Sequence, residues 1–275
     1  VPHAYSAFQM TGLHYVTVSC VLIPAMTVLY FEQGGSRSGR KNGLIVLCAL
    51  VSIAIPILCV SRFQLVFAVI LAVFTFCASQ KNVSPWLFVA AVVALIPCYV
   101  LLTVARSHDV TYLNGIFEMK NSRMPIFVSQ PYIYIANNYE NFDCLVKALP
   151  AHTWGIRMLF PVWALTGLKF LYPYLVSFPI YVDKTELTTV TLIYDAYYDF
   201  GIIGVLVFAC ILGAVCFFLV EKLREMKNPM GYLFYGQMAI YMMLSFFTTW
   251  FSNPTTWFYF LVTAVLTFYC SVSRR

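Results

Sequence analysis

Charge is what this sequence lacks. Only 10% of its 275 residues are Asp, Glu, Lys or Arg and 61% are hydrophobic, whereas soluble domains carry about a quarter charged residues. So few charged groups cannot cover a water-facing surface, so lipid must cover the remainder, and an ordinary soluble enzyme is excluded. Metal and redox frameworks are missing too. The nine cysteines (Cys20, Cys48, Cys59, Cys77, Cys98, Cys144, Cys210, Cys216 and Cys270) contain no CxxC and no Cys/His spacing, which leaves neither a zinc site nor a disulfide scaffold. Eight of them sit in apolar runs, where a free thiol behaves as a small hydrophobe; Cys144 stands apart in polar sequence. There is no internal repeat, Gly-rich phosphate loop, nucleophile elbow or HExxH. The formal charge of +6 does not imply nucleic acid in a chain this apolar, because the placement of the cations matters more than their sum.

What is present is a series of apolar runs. A span needs about 20 such residues. The runs are Thr11–Phe31, Gly43–Ser79, Ser84–Ala105, Phe200–Val220, Tyr232–Phe251 and Thr255–Ser271. Gly43–Ser79 is too long for one crossing and reads as a hairpin of two, with Arg62 at the bend. The expectation is an all-α polytopic membrane protein with about seven transmembrane helices in this chain, forming one transmembrane domain over residues 1–275. A start at Val1 rather than Met suggests an N-terminal truncation. Arg37, Arg40, Lys41, Lys81, Lys222, Arg224, Lys227, Arg274 and Arg275 then fall on one side, the cytoplasmic one by the positive-inside rule. The other side receives the Arg62 bend, the Asn253-Pro254 turn and a large loop over residues 106–198. Within that loop Met158–Tyr181 is apolar and nearly long enough to span, but Pro161, Gly167, Pro173 and Pro179 cut it and Lys169 sits at its middle. Short re-entrant or interfacial helices are the reading, since bilayers tolerate such pieces where protein or a wet cavity satisfies the backbone.

Three constellations could carry chemistry. Arg62, Arg106, Arg123 and Arg157 bring cations to the external face, and the planar guanidinium fork suits the oxygens of a lipid-linked diphosphate. Each could instead snorkel to the interface or pair with an acid. The stretch Tyr132–Phe142 combines tyrosines with Asn137, Asn138 and Asn141. Rings that stack on sugar faces and amides that bond hydroxyls make a carbohydrate-like lining, although these residues taken alone read better as an interfacial aromatic belt with capping asparagines. Asp195 and Asp199 stand four apart before a span, so both carboxylates face one way. Either could be a general base, as could His152, and Asp199 could equally be a helix N-cap.

Short loops, a Ser61-Arg62 hairpin, one large external loop with the Tyr132–Phe142 stretch, and Tyr194…Asp199-Phe200-Gly201…Gly204 entering the next span together resemble the oligosaccharide repeat-unit polymerases, the Wzy-type O-antigen and capsule polymerases of bacteria. The resemblance covers roughly Thr11 to the C-terminus. It implies a cofactor-free, metal-independent glycosyltransferase of polysaccharide biosynthesis in the cytoplasmic (inner) membrane, with its large loop extracytoplasmic. Its partners would be undecaprenyl-diphosphate-linked oligosaccharide, membrane lipid and a chain-length regulator protein, with no nucleic acid. On this reading Arg62, Arg106, Arg123 and Arg157 bind diphosphate and Asp199, Asp195 or His152 takes the acceptor proton. Tyr132, Asn137, Asn138, Asn141 and Tyr194 hold sugars. Two alternatives remain. A flippase or transporter of lipid-linked oligosaccharide would place polar groups inside its spans, and apart from Gln237 these spans nearly lack them. An O-antigen ligase-like transferase would share the leaving group but use another acceptor.

Overall fold

The computed structural model describes residues 11–59, 61–80, 84, 86–105, 110–223 and 225–272, and among these every regular element is helical. The helices are α1 (Thr11–Val18), α2 (Ile23–Glu32), α3 (Gly39–Leu58), α4 (Arg62–Ser79), α5 (Trp86–Ala105), α6 (Val110–Ile116), α7 (Ile126–Ala148), α8 (Phe160–Leu165), α9 (Leu168–Leu171), α10 (Tyr194–Leu223), α11 (Tyr232–Met243) and α12 (Pro254–Val272). Among the described residues three stretches are long and apolar enough to cross a membrane: Leu13–Glu32, which runs from α1 through a 3-10 turn into α2, then α3 and α10; Phe63–Ser79 is a shorter apolar helix. That fits a membrane protein. It does not fit seven spans.

Part of the difference lies in Tyr232–Phe251, expected as one crossing. The helix stops at Met243 after 12 residues, and a 3-10 turn at Trp250–Ser252 precedes α12. In a low-dielectric setting the freed carbonyls must find donors, and here they do. Trp250 Nε1 donates to Leu244 O (2.9 Å), the Leu192 amide to Ser245 O (2.8 Å), and Asn138 Nδ2 to Phe246 O (2.7 Å). The turn at Asn253 is as expected, with its Oδ1 accepting from the Thr255 amide at 2.9 Å.

The chain divides into two compact units, Val1–Asp109 with Leu219–Ile240 and Phe258–Arg275, and Val110–Phe218 with Tyr241–Trp257. In the first unit α4 packs against α2, α3 and α5, burying Leu65, Phe67, Ala68 and Leu71 alongside Leu22, Ala25 and Leu29. α3 ends at Leu58 and α4 begins at Arg62, so the expected hairpin forms at the expected place, closed by the Ser61 amide donating to Pro56 O at 2.8 Å. Gly236 lets α11 approach α4 closely, since a Cβ there would stand 2.7 Å from Thr75 Oγ1 and 2.9 Å from Leu71 Cδ1. Gln237, the amide inside an apolar run, is buried and donates to Thr263 Oγ1 at 2.6 Å.

The second unit is built around α7. Its inward face carries Ile126, Ser129, Gln130, Ile133, Asn137, Asn138, Asn141 and Leu145, a spacing of three and four that marks one side of a helix. Where Met158–Tyr181 was expected to break into short helices, the structure has α8 of six residues, α9 of four and a 3-10 turn at Pro173–Leu175. Gly167 separates α8 from α9 with φ +78°, a left-handed geometry that suits glycine. The N-terminal turns of α10 belong to this unit, and they end abruptly. Gly201 has φ +64° and ψ −151°, and a Cβ on Gly204 would lie 2.5 Å from Ala196 O. The backbone folds back there, and only glycine at 204 permits the approach. Beyond the break, α10 exposes Ile202, Ile203, Leu206, Ile211 and Phe217, as a lipid-facing helix does.

Candidate functional site

Asp195 and Asp199 stand on the first turns of α10 and share a face, as their four-residue spacing implied, and that face meets the segment 152–158. Their duties differ. Asp199 is fully buried. Its Oδ1 accepts from the Thr153 hydroxyl and from the Arg157 amide (3.3 Å), and its Oδ2 from the Met158 amide (2.7 Å). Its carbonyl also accepts from the Trp154 amide at 3.1 Å. A carboxylate so occupied shapes the loop rather than receiving a proton from a substrate, and it caps that loop rather than its own helix. The loop needs the help, since Trp154 and Gly155 both have positive φ (+54° and +96°).

Holding the Arg157 backbone fixes where its side chain goes. Arg157 Nε donates to Asp195 Oδ1 in an ion pair whose side chains are 14% and 5% exposed. The guanidinium carbon lies 4.6 Å from the Tyr198 ring centroid and 5.3 Å from that of Tyr194, within cation–π range. Tyr194 is itself fully buried, and its hydroxyl donates to Tyr181 O at 3.0 Å and accepts the Tyr181 amide at 2.9 Å. It is a platform for Arg157 and cannot stack on a sugar.

Arg157 and Asp195 line a cavity of about 390 Å³, within the usual size of a small-ligand site. Its lining is apolar at Phe160, Val176, Phe178 and Ile180 and polar at Thr248, Thr249, Ser252 and Asn253. Apart from Nε, the guanidinium donors have no hydrogen-bond acceptor among the described residues. Chemically this is a pre-oriented cation with a carboxylate at its flank, in a cavity lined by both hydroxyls and apolar side chains.

The amide constellation is corrected by the structure. Asn137, Asn138 and Asn141 are buried, at 3%, 0% and 0% exposure; Asn138 and Asn141 are closed to a sugar, while Asn137 borders a second cavity. Asn137 Nδ2 donates to Leu187 O (3.1 Å), and Asn141 Nδ2 to Leu187 O and Thr189 O (both 2.8 Å). Asn141 Oδ1 accepts the Asp183 amide at 2.9 Å, and Asn138 Oδ1 accepts the Thr189 hydroxyl at 2.7 Å. These amides serve irregular backbone at 183–189 and 246–247, whose polar groups would otherwise be buried unpaired.

Among the remaining expected site residues, Tyr132 is 60% exposed and lines a different cavity. His152 sits against Tyr198 O through Nδ1 (3.2 Å) and fills the space beside Gly201, its Nε2 3.0 Å from where a Cβ would be. It does not line the Arg157 cavity. Arg123 is exposed in the turn after Asn121, apart from the Arg157 cavity lining. Arg106 and the side chain of Arg62 lie outside the described residues. Of the proposed cation set, the structure therefore brings Arg157 together with an acid and a cavity. Sequence reasoning missed Thr153, Tyr198 and the Thr248–Asn253 wall; Tyr198 had a signal, since it stands four residues from Tyr194 on the Arg157-facing side.

Compared with protein-family models, curated proteins and solved structures, this chain matches none.

Proposed function

We propose that this protein is a membrane glycosyltransferase that joins undecaprenyl-diphosphate-linked oligosaccharide repeat units at the outer face of a bacterial cytoplasmic membrane. The observation that carries this reading is Arg157: a guanidinium clamped by Asp195 and two tyrosines, with donors left over, at the wall of a part-polar cavity in a protein with helices long and apolar enough to cross a membrane. Glycan transfer from such a donor breaks the bond between the anomeric carbon and a phosphate oxygen, so negative charge develops on the departing diphosphate. A fixed guanidinium stabilises that charge without reorganising, and the bond that forms is from the acceptor oxygen to the anomeric carbon. The acceptor proton must leave with it. Of the three expected bases, Asp195 lines the cavity, and its Oδ2 has no partner among the described residues; Asp199 and His152 are engaged elsewhere. The order of spans and motifs that resembles repeat-unit polymerases supports polymerisation over other uses of the same leaving group.

The test is purified protein in vesicles with a defined lipid-linked repeat unit, reading glycan ladders on gels. Arg157→Ala should cut transfer by roughly 10²-fold or more, the loss typical for one charge-stabilising donor. Arg157→Lys keeps the charge and the Asp195 partner but not the planar fork, and should fall between. Full ladders from a folded Arg157→Ala protein would end this reading.

A further inference from the structure

A second cavity, of about 600 Å³, shares no lining residue with the first. Its floor is one stripe of α7, with Val128, Tyr132, Ala136 and Glu140 at four-residue intervals. Its sides are the turn 117–121 and the segment Asp183–Lys184. We propose that this is a saccharide-binding cleft, separate from the Arg157 cavity, that takes neutral or amino sugars and rejects uronic acids.

The floor is an aromatic platform followed by a notch. Tyr132 presents an exposed ring, which stacks on the C–H face of a pyranose. Ala136 leaves open space one turn on, and the Glu140 carboxylate closes the row. At 1.5 Å per residue the floor from Tyr132 to Glu140 is about 12 Å long, room for a disaccharide. Carboxylates are the best acceptors for sugar hydroxyls and ammonium groups the matching donors, and the walls supply both.

The walls are held in place before any ligand arrives. Buried Asn114 donates to Ser122 O (2.9 Å) and Met124 O (2.8 Å), tying down the turn that carries Glu118 and Lys120. Asn141 holds the Asp183 amide, and Asn137 and Asn141 hold Leu187 O, tying down the other wall. A 2.8 Å ion pair between Lys184 and Glu118 links the two walls. Glu118 accepts positive φ (+53°) in doing so, a conformation uncommon outside glycine. Pre-organised walls reduce the ordering cost of binding.

Selectivity follows from the charges. Glu118 and Lys184 cancel, which leaves Glu140 and Asp183 against Lys120. A uronic acid would meet a like charge on the rim; an amino sugar would find a partner.

The proposal rests on the transferase reading only in that the sugar would belong to the acceptor glycan; binding itself is independent of transfer. The experiment presents the full chain in nanodiscs to an array of neutral, amino and uronic-acid oligosaccharides, with Kd from interferometry on the positives. Neutral or amino sugars should bind; Tyr132→Ala should weaken them at least tenfold, Tyr132→Phe should bind as the unaltered protein does, and Arg157→Ala should leave binding unchanged. Glu140→Gln with Asp183→Asn should admit uronic acids. No binding to any array member, or binding that ignores Tyr132→Ala, overturns the cleft. Preference for uronic acids overturns its specificity. Binding kept in Arg157→Ala alongside full transfer would sink the transferase reading and leave the cleft standing.

Discussion

Replacing Asn141 by Ala removes three hydrogen bonds at a fully buried position: two from Nδ2 to Leu187 O and Thr189 O at 2.8 Å, and one to Oδ1 from the Asp183 amide at 2.9 Å. Leu187 O keeps a second donor in Asn137, so two groups are orphaned, Thr189 O and the Asp183 amide. A buried group left unpaired costs about 1–3 kcal/mol; taking about 1–1.5 kcal/mol for each of these two, since they partly reach water on opening, the segment 183–189 loses about 2–3 kcal/mol of attachment. Local opening should then be roughly 30- to 150-fold more populated, at 1.36 kcal/mol per factor of ten. Lys184 lies in this segment, so trypsin reports the opening directly by cutting between Lys184 and Thr185. With protease dilute enough that reclosing outruns cutting, the cleavage rate follows the open population. Asn137→Ala is the internal reference. It removes one bond of 3.1 Å from an acceptor that keeps another donor, and cleavage should rise less than about fivefold, the equivalent of under 1 kcal/mol. Asn141→Asp keeps the acceptor but sets a carboxylate against two carbonyls, and should cleave at least as fast as Asn141→Ala. If Asn141→Ala is cut no faster than Asn137→Ala, the amides are not the struts described above.

Three further perturbations separate local causes. Gly204→Ala drives a methyl to within 2.5 Å of Ala196 O and should cost about 2–3 kcal/mol by overpacking, seen as a lower melting temperature in detergent; Gly213→Ala, with nothing within 4 Å, should not lower it, and equal melting of the two would refute the fold-back at Gly201. The Cys144 thiol is pushed up from its ordinary value of 9.0, first by burial and then by the Asp183, Asp143 and Glu140 carboxylates, against the opposing pull of Lys147. The thiolate is the reactive form, so a raised pKa means less of it at any given pH: alkylation followed by mass spectrometry of the Cys144 peptide should reach half its limiting rate above pH 9, and Asp183→Asn should move that point down. A midpoint at or below 9 in the unaltered protein would contradict the burial of this thiol beside those carboxylates.

Helical class and membrane character were legible because they rest on composition and on apolar length, which act residue by residue. The hairpin at Arg62 was legible because Gly43–Ser79 is too long for one crossing, and the fragmentation of Met158–Tyr181 and the turn at Asn253 because Pro and Gly impose their backbone geometry whatever surrounds them. The unwinding after Met243 was not. Nothing within Ser245–Thr249 forbids a helix. It is unwound where acceptors are met by donors from elsewhere in the chain, the Leu192 amide and Asn138, and such a trade is visible only in three dimensions. The pairing of Asp195 with Arg157 across 38 residues is of the same kind. Spacing showed that Asp195 and Asp199 share a face, but not that one would hold a backbone and the other a side chain.

The amides erred in an instructive direction. Asn137, Asn138 and Asn141 looked like ligands because amides beside tyrosine rings suit the hydroxyls and faces of a sugar, and a sugar is one possible partner. The protein supplies another. A domain that keeps 183–189 and 244–249 in neither helix nor sheet leaves carbonyls and amides that cannot turn to water, and an asparagine both donates and accepts. Asn138 and Asn141 meet that demand internally and are therefore unavailable to substrate, whereas Asn137 spends only its Nδ2 on Leu187 O and borders the second cavity. It follows that binding chemistry here should be sought among polar groups with capacity left after the fold has used what it needs: the spare donors of Arg157, the second oxygen of Asp195, the open ring of Tyr132 and the carboxylates of Glu140 and Asp183. By that criterion Asp199, the most conspicuous acid in the sequence, is the least able to act on a ligand, since both of its oxygens are already occupied by residues 153–158.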